Sequence, residues 1–318
     1  MTVGGFRVIY LAGMGRSGST LAERLLGELP GVCMAGELVH LWQRGVVDNE
    51  RCGCGVAFAS CEFWSAVAES AFGGWSNVDL GRLGQLRAQV DRTRFIPALA
   101  RRSLPRKLRS DVAEYTSYYQ RLYQAIAATS GCEVVLDSSK HASLAFCLSH
   151  RDDLDLRVVH VVRDSRAVAY SWTRRVQRPE ASAGSYMTRY SPVRAAREWD
   201  TQNGALQLLA RGRVPVLRVR YEDLVSAVKP TISTIAGFGG MVADESALAF
   251  ISGSGPGQTA ELRQSHSAAG NPMRFATGEI SIQPDERWQT AMPAPARRAV
   301  TALTLPLLRY YGYAGTTA

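Results

Sequence analysis

Residues Gly13-Met-Gly-Arg-Ser-Gly-Ser-Thr20 lie between an apolar, strand-like run from Phe6 to Ala12 and a helix-like run from Leu21 to Leu29. Strand, glycine-rich loop and helix in that order make a phosphate cradle. The glycines allow sharp turns that aim successive N–H groups at one anion, and the following helix adds the positive end of its dipole. Gly15, Arg16, Ser17, Gly18, Ser19 and Thr20 are the expected contacts. A glycine-rich turn that only joins a strand to a helix is the plain alternative.

The loop approaches the nucleotide-hydrolase pattern G-x-x-x-x-G-K-[ST], with Gly13, Gly18 and Thr20 in place, but Ser19 occupies the lysine position. In ATP and GTP enzymes that lysine reaches the outer phosphates and the next hydroxyl holds magnesium. Here the cation has moved to Arg16, inside the loop.

The chain has 318 residues and 46% hydrophobic content, enough for one large α/β core without disulfide or metal support. Its 37 Lys plus Arg against 28 Asp plus Glu give a net charge of +9, which favours anionic ligands, nucleic acid or acidic membranes alike. The arginines are dispersed and form no basic tract, which argues against a nucleic-acid arm. No uncharged apolar run reaches the ~18 residues that span a bilayer, and the first residues lack the charged and long apolar regions of a secretion signal. A soluble, cytoplasmic protein is expected, with disulfides improbable.

Further strand signals fall at Val32 to Ala35, Glu133 to Leu136, Arg157 to Val162 and Val214 to Val219. The last three are rich in β-branched residues and precede polar residues that can start helices, the pattern of an α/β fold with a parallel sheet flanked by helices. Ligands of such sheets collect at the carboxyl ends of the strands. Between residues 42 and 130 helical patterning replaces the β signal. Ser110 is the expected cap of a helix whose Tyr115, Tyr118, Tyr119, Leu122, Tyr123 and Ile126 share one face. The expected organisation is a single domain over 1–318, with a helical cap at 42–130 inserted after the first βα unit and a weakly structured loop at 252–284.

A second motif runs from His160 through Val-Val-Arg163 to Ser171 and Trp172. Arg163 stands at a strand end and Ser171 two turns along the next helix, so that both can reach one phosphate.

Together the loop with Arg16 followed by Ser-Gly-Ser-Thr-Leu and the segment around Arg163 and Ser171 resemble the sulfotransferases that use 3′-phosphoadenosine 5′-phosphosulfate (PAPS), bacterial type, with motifs like those of the tyrosylprotein sulfotransferases. The resemblance implies a P-loop-like α/β fold with a helical acceptor cap. It also implies PAPS as donor, 3′-phosphoadenosine 5′-phosphate (PAP) as product, and in-line transfer of the sulfonate to a hydroxyl without a metal. The glycine-rich loop then takes the 5′-phosphosulfate, and Arg163 and Ser171 take the 3′-phosphate. Lys140, in Asp137-Ser-Ser-Lys140, falls near the sulfonate, although a solvated lysine after a strand remains the ordinary explanation. The segment Arg220-Tyr-Glu-Asp-Leu224 resembles a Tyr-Glu-Asp-Leu segment common across that family, for which an architectural role is expected rather than a catalytic one. The stretch from Ser265 to Arg274 folds over the nucleotide, with Gly270, Asn271 and Arg274 near the 3′-phosphate, but it departs from the Arg-x-Gly-x-x-Gly pattern of the cytosolic eukaryotic enzymes.

The same resemblance makes Glu37, in Gly36-Glu37, the candidate base, with His40 as competitor because imidazole titrates near neutrality. Arg16 and Lys140 supply cations for the charge that builds on the leaving phosphate. The acceptor is a small-molecule or glycan hydroxyl that no motif in the cap names. A P-loop kinase using ATP–Mg and a basic nucleic-acid-binding protein are the rival readings.

Cys52, Cys54 and Cys61 form a C-x-C-x₆-C cluster, whereas Cys33, Cys132 and Cys147 are scattered. Three ligands without a neighbouring fourth fall short of a zinc signature. The expectation is a reduced cluster in the cap and no bound metal, with zinc or a labile disulfide as open alternatives and His40 or Cys33 as the residues that could complete a site.

Overall fold

Each β-branched run of the sequence becomes one strand of a parallel sheet in the computed structural model, which describes residues 5–177, 186–255 and 257–315. In chain order the elements are β1 (Arg7–Ala12), α1 (Ser19–Leu26), β2 (Val32–Gly36), α2 (Glu62–Phe72), α3 (Leu80–Val90), α4 (Ile96–Leu99), α5 (Arg106–Ser130), β3 (Val134–Lys140), α6 (Ala142–Leu148), β4 (Asp155–Val162), α7 (Ser165–Thr173), α8 (Pro192–Leu209) and β5 (Val216–Arg220). The strand order is β2-β3-β1-β4-β5, with every pair parallel. Strands β1, β3 and β4 are buried through most of their length because helices cover both faces of the sheet.

The inner pairings lose regular register at their carboxyl ends, between Tyr10 and Ala12 on β1 and between Met34 and Gly36 on β2. Irregular pairing at a strand end re-aims side chains. These ends carry the glycine-rich loop, Glu37 and Lys140.

One face of the sheet packs against the cap, where Trp42, Phe58, Trp64, Tyr115, Tyr119 and Tyr123 join a continuous core with Val8, Tyr10 and Val135. The aromatic face of α5 is therefore packing: Tyr115 donates to Asp91 Oδ2 at 2.8 Å and Tyr123 to Asp137 Oδ2 at 2.6 Å. Helix α5 starts at Arg106, after Pro105, so Ser110 lies inside its first turns and does not cap it. Proline fixes the dihedral that starts the helix, an entry that needs no hydroxyl cap.

The stretch expected to be a weakly structured loop at 252–284 contains strands instead, Pro256 within it lying outside the described residues. After α9 (Tyr221–Ser226) and α10 (Val228–Gly239), β6 (Ile251–Ser252), β7 (Gln258–Leu262) and β8 (Gly278–Ile282) form an antiparallel sheet. Alternation there is short and broken by glycine and serine, which hides the pattern in the sequence. Helices α11 (Trp288–Ala291) and α12 (Ala294–Tyr310) follow, with α12 packing on α7 and α8. Among the described residues no helix is long and apolar enough to cross a membrane.

Candidate active site

The loop after β1 is shaped by contacts that leave no room for side chains. Gly18 has φ +93° and lies against the Tyr221 ring, and a Cβ on Gly15 would stand 2.8 Å from Trp172. Gly13 packs on the Val161 carbonyl with φ +146°. Arg16 itself takes a left-handed φ of 76°, a cost that tightly packed surroundings sustain. Ser17 Oγ and Ser19 Oγ are buried and have no hydrogen-bond partner among the described residues. Two orphaned donors beside the start of α1 fit an anion held by main chain and hydroxyls.

A cavity of about 790 Å³ opens from this loop and runs along the carboxyl ends of the strands. Gly15, Arg16, Gly18, Ser19 and Thr20 line it, together with Glu37, His40, Lys140, Arg163, Ser171, Gly270 and Asn271. Ser17 is buried just behind the lining.

At one end, Arg163 is almost fully buried where β4 leaves the sheet. Its guanidinium lies 4.2 Å from the Tyr221 ring centre, donates to Arg16 O at 3.2 Å and to Asp285 O at 3.0 Å, and stands 3.4 Å from the Asp285 carboxylate. Arg16 lies over Trp172, which stacks flat on Tyr190 at 4.2 Å and donates to Gly15 O at 2.9 Å. Burial lowers the pKa of the Arg16 guanidinium, against the pull of Glu37.

At the other end, Lys140 Nζ donates to Glu37 Oε1, and His40 Nε2 is 3.6 Å from Glu37 Oε2. Lys140 also takes a left-handed φ, of 70°, which turns its side chain from the end of β3 into the cavity. Burial, the largest single influence, pushes the Glu37 carboxyl up, but the charge and hydrogen bond of Lys140, together with the nearby His40 and Arg44, hold the group down at about 2. Desolvation drives half-buried His40 down to about 3, so at neutral pH its ring is uncharged, and Lys140, with a smaller part from Arg44, is the charge that keeps Glu37 ionised.

Sequence reasoning missed several groups. Glu23 on α1 is buried under the site and accepts from Ser138 Oγ at 2.7 Å and Gly36 N at 2.8 Å. Burial lifts its carboxyl to about 7. Tyr221, Asp285 and Arg287 line the Arg163 end, and Arg44, His141 and Trp172 line other walls. Tyr221 and Trp172 sat inside segments already singled out, whereas no motif marks Asp285 or Arg287.

Two expectations are corrected. Arg274 does not reach the cavity: it is buried, donates to Gly270 O at 2.8 Å and Arg51 O at 3.2 Å, and packs on Phe275. It braces its own loop, because a guanidinium among main-chain carbonyls satisfies their lone pairs. Gly270 falls beside Glu37, where a Cβ would stand 2.9 Å from Oε1, and so belongs to the Glu37 end rather than to the Arg163 end. The Tyr-Glu-Asp-Leu segment is architectural in part: Glu222 accepts from Tyr313 Oη at 2.6 Å, while Tyr221 reaches the cavity.

Compared with solved structures, the chain is similar to the sulfotransferase domain of the olefin synthase from Synechococcus PCC 7002, with a TM-score of 0.50, 21% identity and 96% of each chain covered. The fold is that of a sulfotransferase domain. A sulfotransferase domain from the curacin biosynthetic pathway follows at TM-score 0.48, 17% identity and coverage of 95% of this chain and 97% of that one. A sulfotransferase from Mycobacterium avium has a TM-score of 0.46 and 12% identity, over 96% of this chain and 77% of that one. No protein-family profile matches the sequence, and no curated protein matches it.

Proposed function

We propose that the protein is a PAPS-dependent sulfotransferase acting on a hydroxyl of a small-molecule or glycan acceptor. The observation that carries this reading is the pairing, within one cavity, of a glycine-rich anion cradle that lacks the nucleotide-hydrolase lysine with a buried arginine at the next strand end. A donor with a phosphosulfate at one end and a 3′-phosphate at the other needs two such anion sites. The orphaned hydroxyls of Ser17 and Ser19 and the tight glycines suit the 5′ side, with Arg16. Arg163 and Ser171 suit the 3′-phosphate, with Arg287 at the same rim. When bound, PAPS supplies an activated sulfonate whose leaving group is a phosphate.

The chain's own part is to orient the acceptor, take its proton and balance charge. Glu37 is ionised and therefore able to accept a proton, yet the Lys140 ion pair makes it a weak base at rest. That pairing is reversible: once Lys140 turns toward another anion, burial raises the affinity of Glu37 for a proton. His40, half-buried and depressed by desolvation, gains nothing from an acceptor that would cover it further. Glu37 is therefore the base and Lys140 its switchable partner.

Isothermal titration calorimetry with PAP, ATP–Mg and an oligonucleotide tests the reading. Micromolar PAP binding that is lost in Arg163→Ala is the expected result. Tight ATP–Mg binding with no response to PAP would make the protein a P-loop kinase. Salt-sensitive oligonucleotide binding, indifferent to PAP, would make it a nucleic-acid binder.

A further inference from the structure

The fourth ligand that the cysteine spacing lacks comes from neither His40 nor Cys33. His40 stands at Glu37 and Cys33 on β2, whereas His266 crosses from the far side of the sequence to meet the cluster. The ligand atoms of Cys52, Cys54, Cys61 and His266 all lie within 4.8 Å of one another, the one such group of His, Cys, Asp or Glu side chains among the described residues. Cys61 Sγ is 3.7 Å from Cys52 Sγ, 3.8 Å from Cys54 Sγ and 3.3 Å from His266 Nδ1, and Cys52 Sγ is 3.9 Å from the same nitrogen.

These separations are those of a metal polyhedron. A tetrahedral ion with Zn–S of about 2.3 Å and Zn–N of about 2.0 Å sets its ligands about 3.8 Å apart for S···S and about 3.5 Å apart for S···N. All six cysteines are free thiols, so no cross-link accounts for the convergence.

We propose that Cys52, Cys54, Cys61 and His266 bind one structural zinc ion, through three thiolates and the Nδ1 lone pair. Three thiol protons are released as the Zn–S bonds form, leaving a site of net charge −1. Four protein ligands close the tetrahedron with no position left for water or substrate, and the cluster lies outside the cavity lining, so the ion holds structure and takes no part in transfer. Softer thiolate ligands in tetrahedral S₃N geometry favour zinc over magnesium or calcium.

The surroundings are built for this role. Gly55 N donates to Cys52 O at 2.8 Å, folding the C-x-C turn, and Cys61 stands at the start of α2. The His266 ring stacks on Phe63 at 4.9 Å, and its carbonyl accepts from Trp64 Nε1 at 2.7 Å, which fixes the ring to present Nδ1 inward. From His266 the chain runs directly to the active site: Ala268 N donates to Ala35 O at 3.0 Å and Glu37 N to Ala269 O at 3.3 Å. The zinc therefore ties the cap to the segment that covers Glu37.

The test uses the full chain purified under reducing conditions without chelators. Elemental mass spectrometry should find about one zinc per chain, and cobalt exchanged into the protein should show thiolate-to-cobalt charge transfer with the strong visible bands of a tetrahedral site. His266→Ala and Cys54→Ser, at two half-buried positions, should each weaken zinc retention against a chelator about 100-fold or more, since even outer-shell losses cost about 10–100-fold. Folded wild-type protein that carries no zinc and takes up no cobalt would overturn the proposal, and that readout stands even if the variants fail to fold. A peptide map showing a Cys52–Cys61 or Cys54–Cys61 disulfide in the fresh protein would overturn it too. PAP affinity, measured separately, reports on the sulfotransferase reading alone.

Discussion

Glu37 and Lys140 close an ion pair between the carboxyl ends of the adjacent parallel strands β2 and β3, with both side chains nearly buried. Removing one partner of a buried pair leaves the other charge uncompensated, at a cost on the order of 3–5 kcal/mol. In Lys140→Met, burial, the largest influence on Glu37, faces the smaller pulls of His40 and Arg44 without that of Lys140, and the carboxyl should rise above its ordinary value of 4.5. The sign of its pH linkage then inverts. In the wild type the depressed carboxyl contributes stability that is present above 4.5 and lost as pH falls toward about 2. In the variant the contribution is present at low pH and lost as pH rises. Difference infrared titration of the carboxyl band checks the shift, and an unmoved band would break the link between the two residues.

Glu23 has the opposite linkage. Its folded value of about 7 lies above the ordinary 4.5, so its contribution is full below pH 4.5 and is lost as pH rises through 7. Glu23→Gln keeps an oxygen for Gly36 N and an amide for Ser138 and carries no charge to bury. Thermal melts should show a wild type that loses on the order of 3 kcal/mol more than the variant across that window. Parallel pH profiles for the two proteins would refute the assignment.

Much of this arrangement was legible in the sequence. The five parallel strands were readable because each is a short apolar run between polar segments, three of them rich in β-branched residues, and the glycine-rich turn because its spacing is local. Arg163 and Ser171 were readable because strand and helix place them within one short segment. What could not be read depends on distant meetings. His266 contacts Cys61 across 205 residues, and Arg163 meets Asp285 across 122. Arg274 misled for the same reason, since its partners Arg51 and Gly270 decide that it faces inward. Helix α8 carries a cap at Ser191 and a proline in its first turn, local signals that lie apart from any motif of the site.

The division of labour between Glu37 and His40 separates in kinetics. Glu37→Gln should leave PAP affinity within a few-fold of wild type and lower turnover by ~10²-fold or more, the scale of general-base catalysis. His40→Ala should cost less, because its neutral ring neither holds the charge on Glu37 nor becomes more basic on binding. Turnover that survives the first change and vanishes with the second would reverse the roles.

Gly270 lies against Glu37, the base of the proposed reaction, and away from Arg163. Its φ of +133° is one that side chains rarely adopt, and a Cβ would stand 2.9 Å from the Glu37 carboxylate. Gly270→Ala must therefore move either the loop or the carboxylate, and the loop is held by Ala268 and Ala269 on the ends of β2. A shift of the carboxylate by about 1 Å is enough to cost ~10²-fold in rate. Because Arg163 and the glycine-rich loop lie at the other end of the cavity, PAP binding should be unchanged within a few-fold. Steady-state kinetics beside PAP calorimetry tests the split: a fall in PAP affinity as large as the fall in turnover would place Gly270 at the nucleotide instead of at the base.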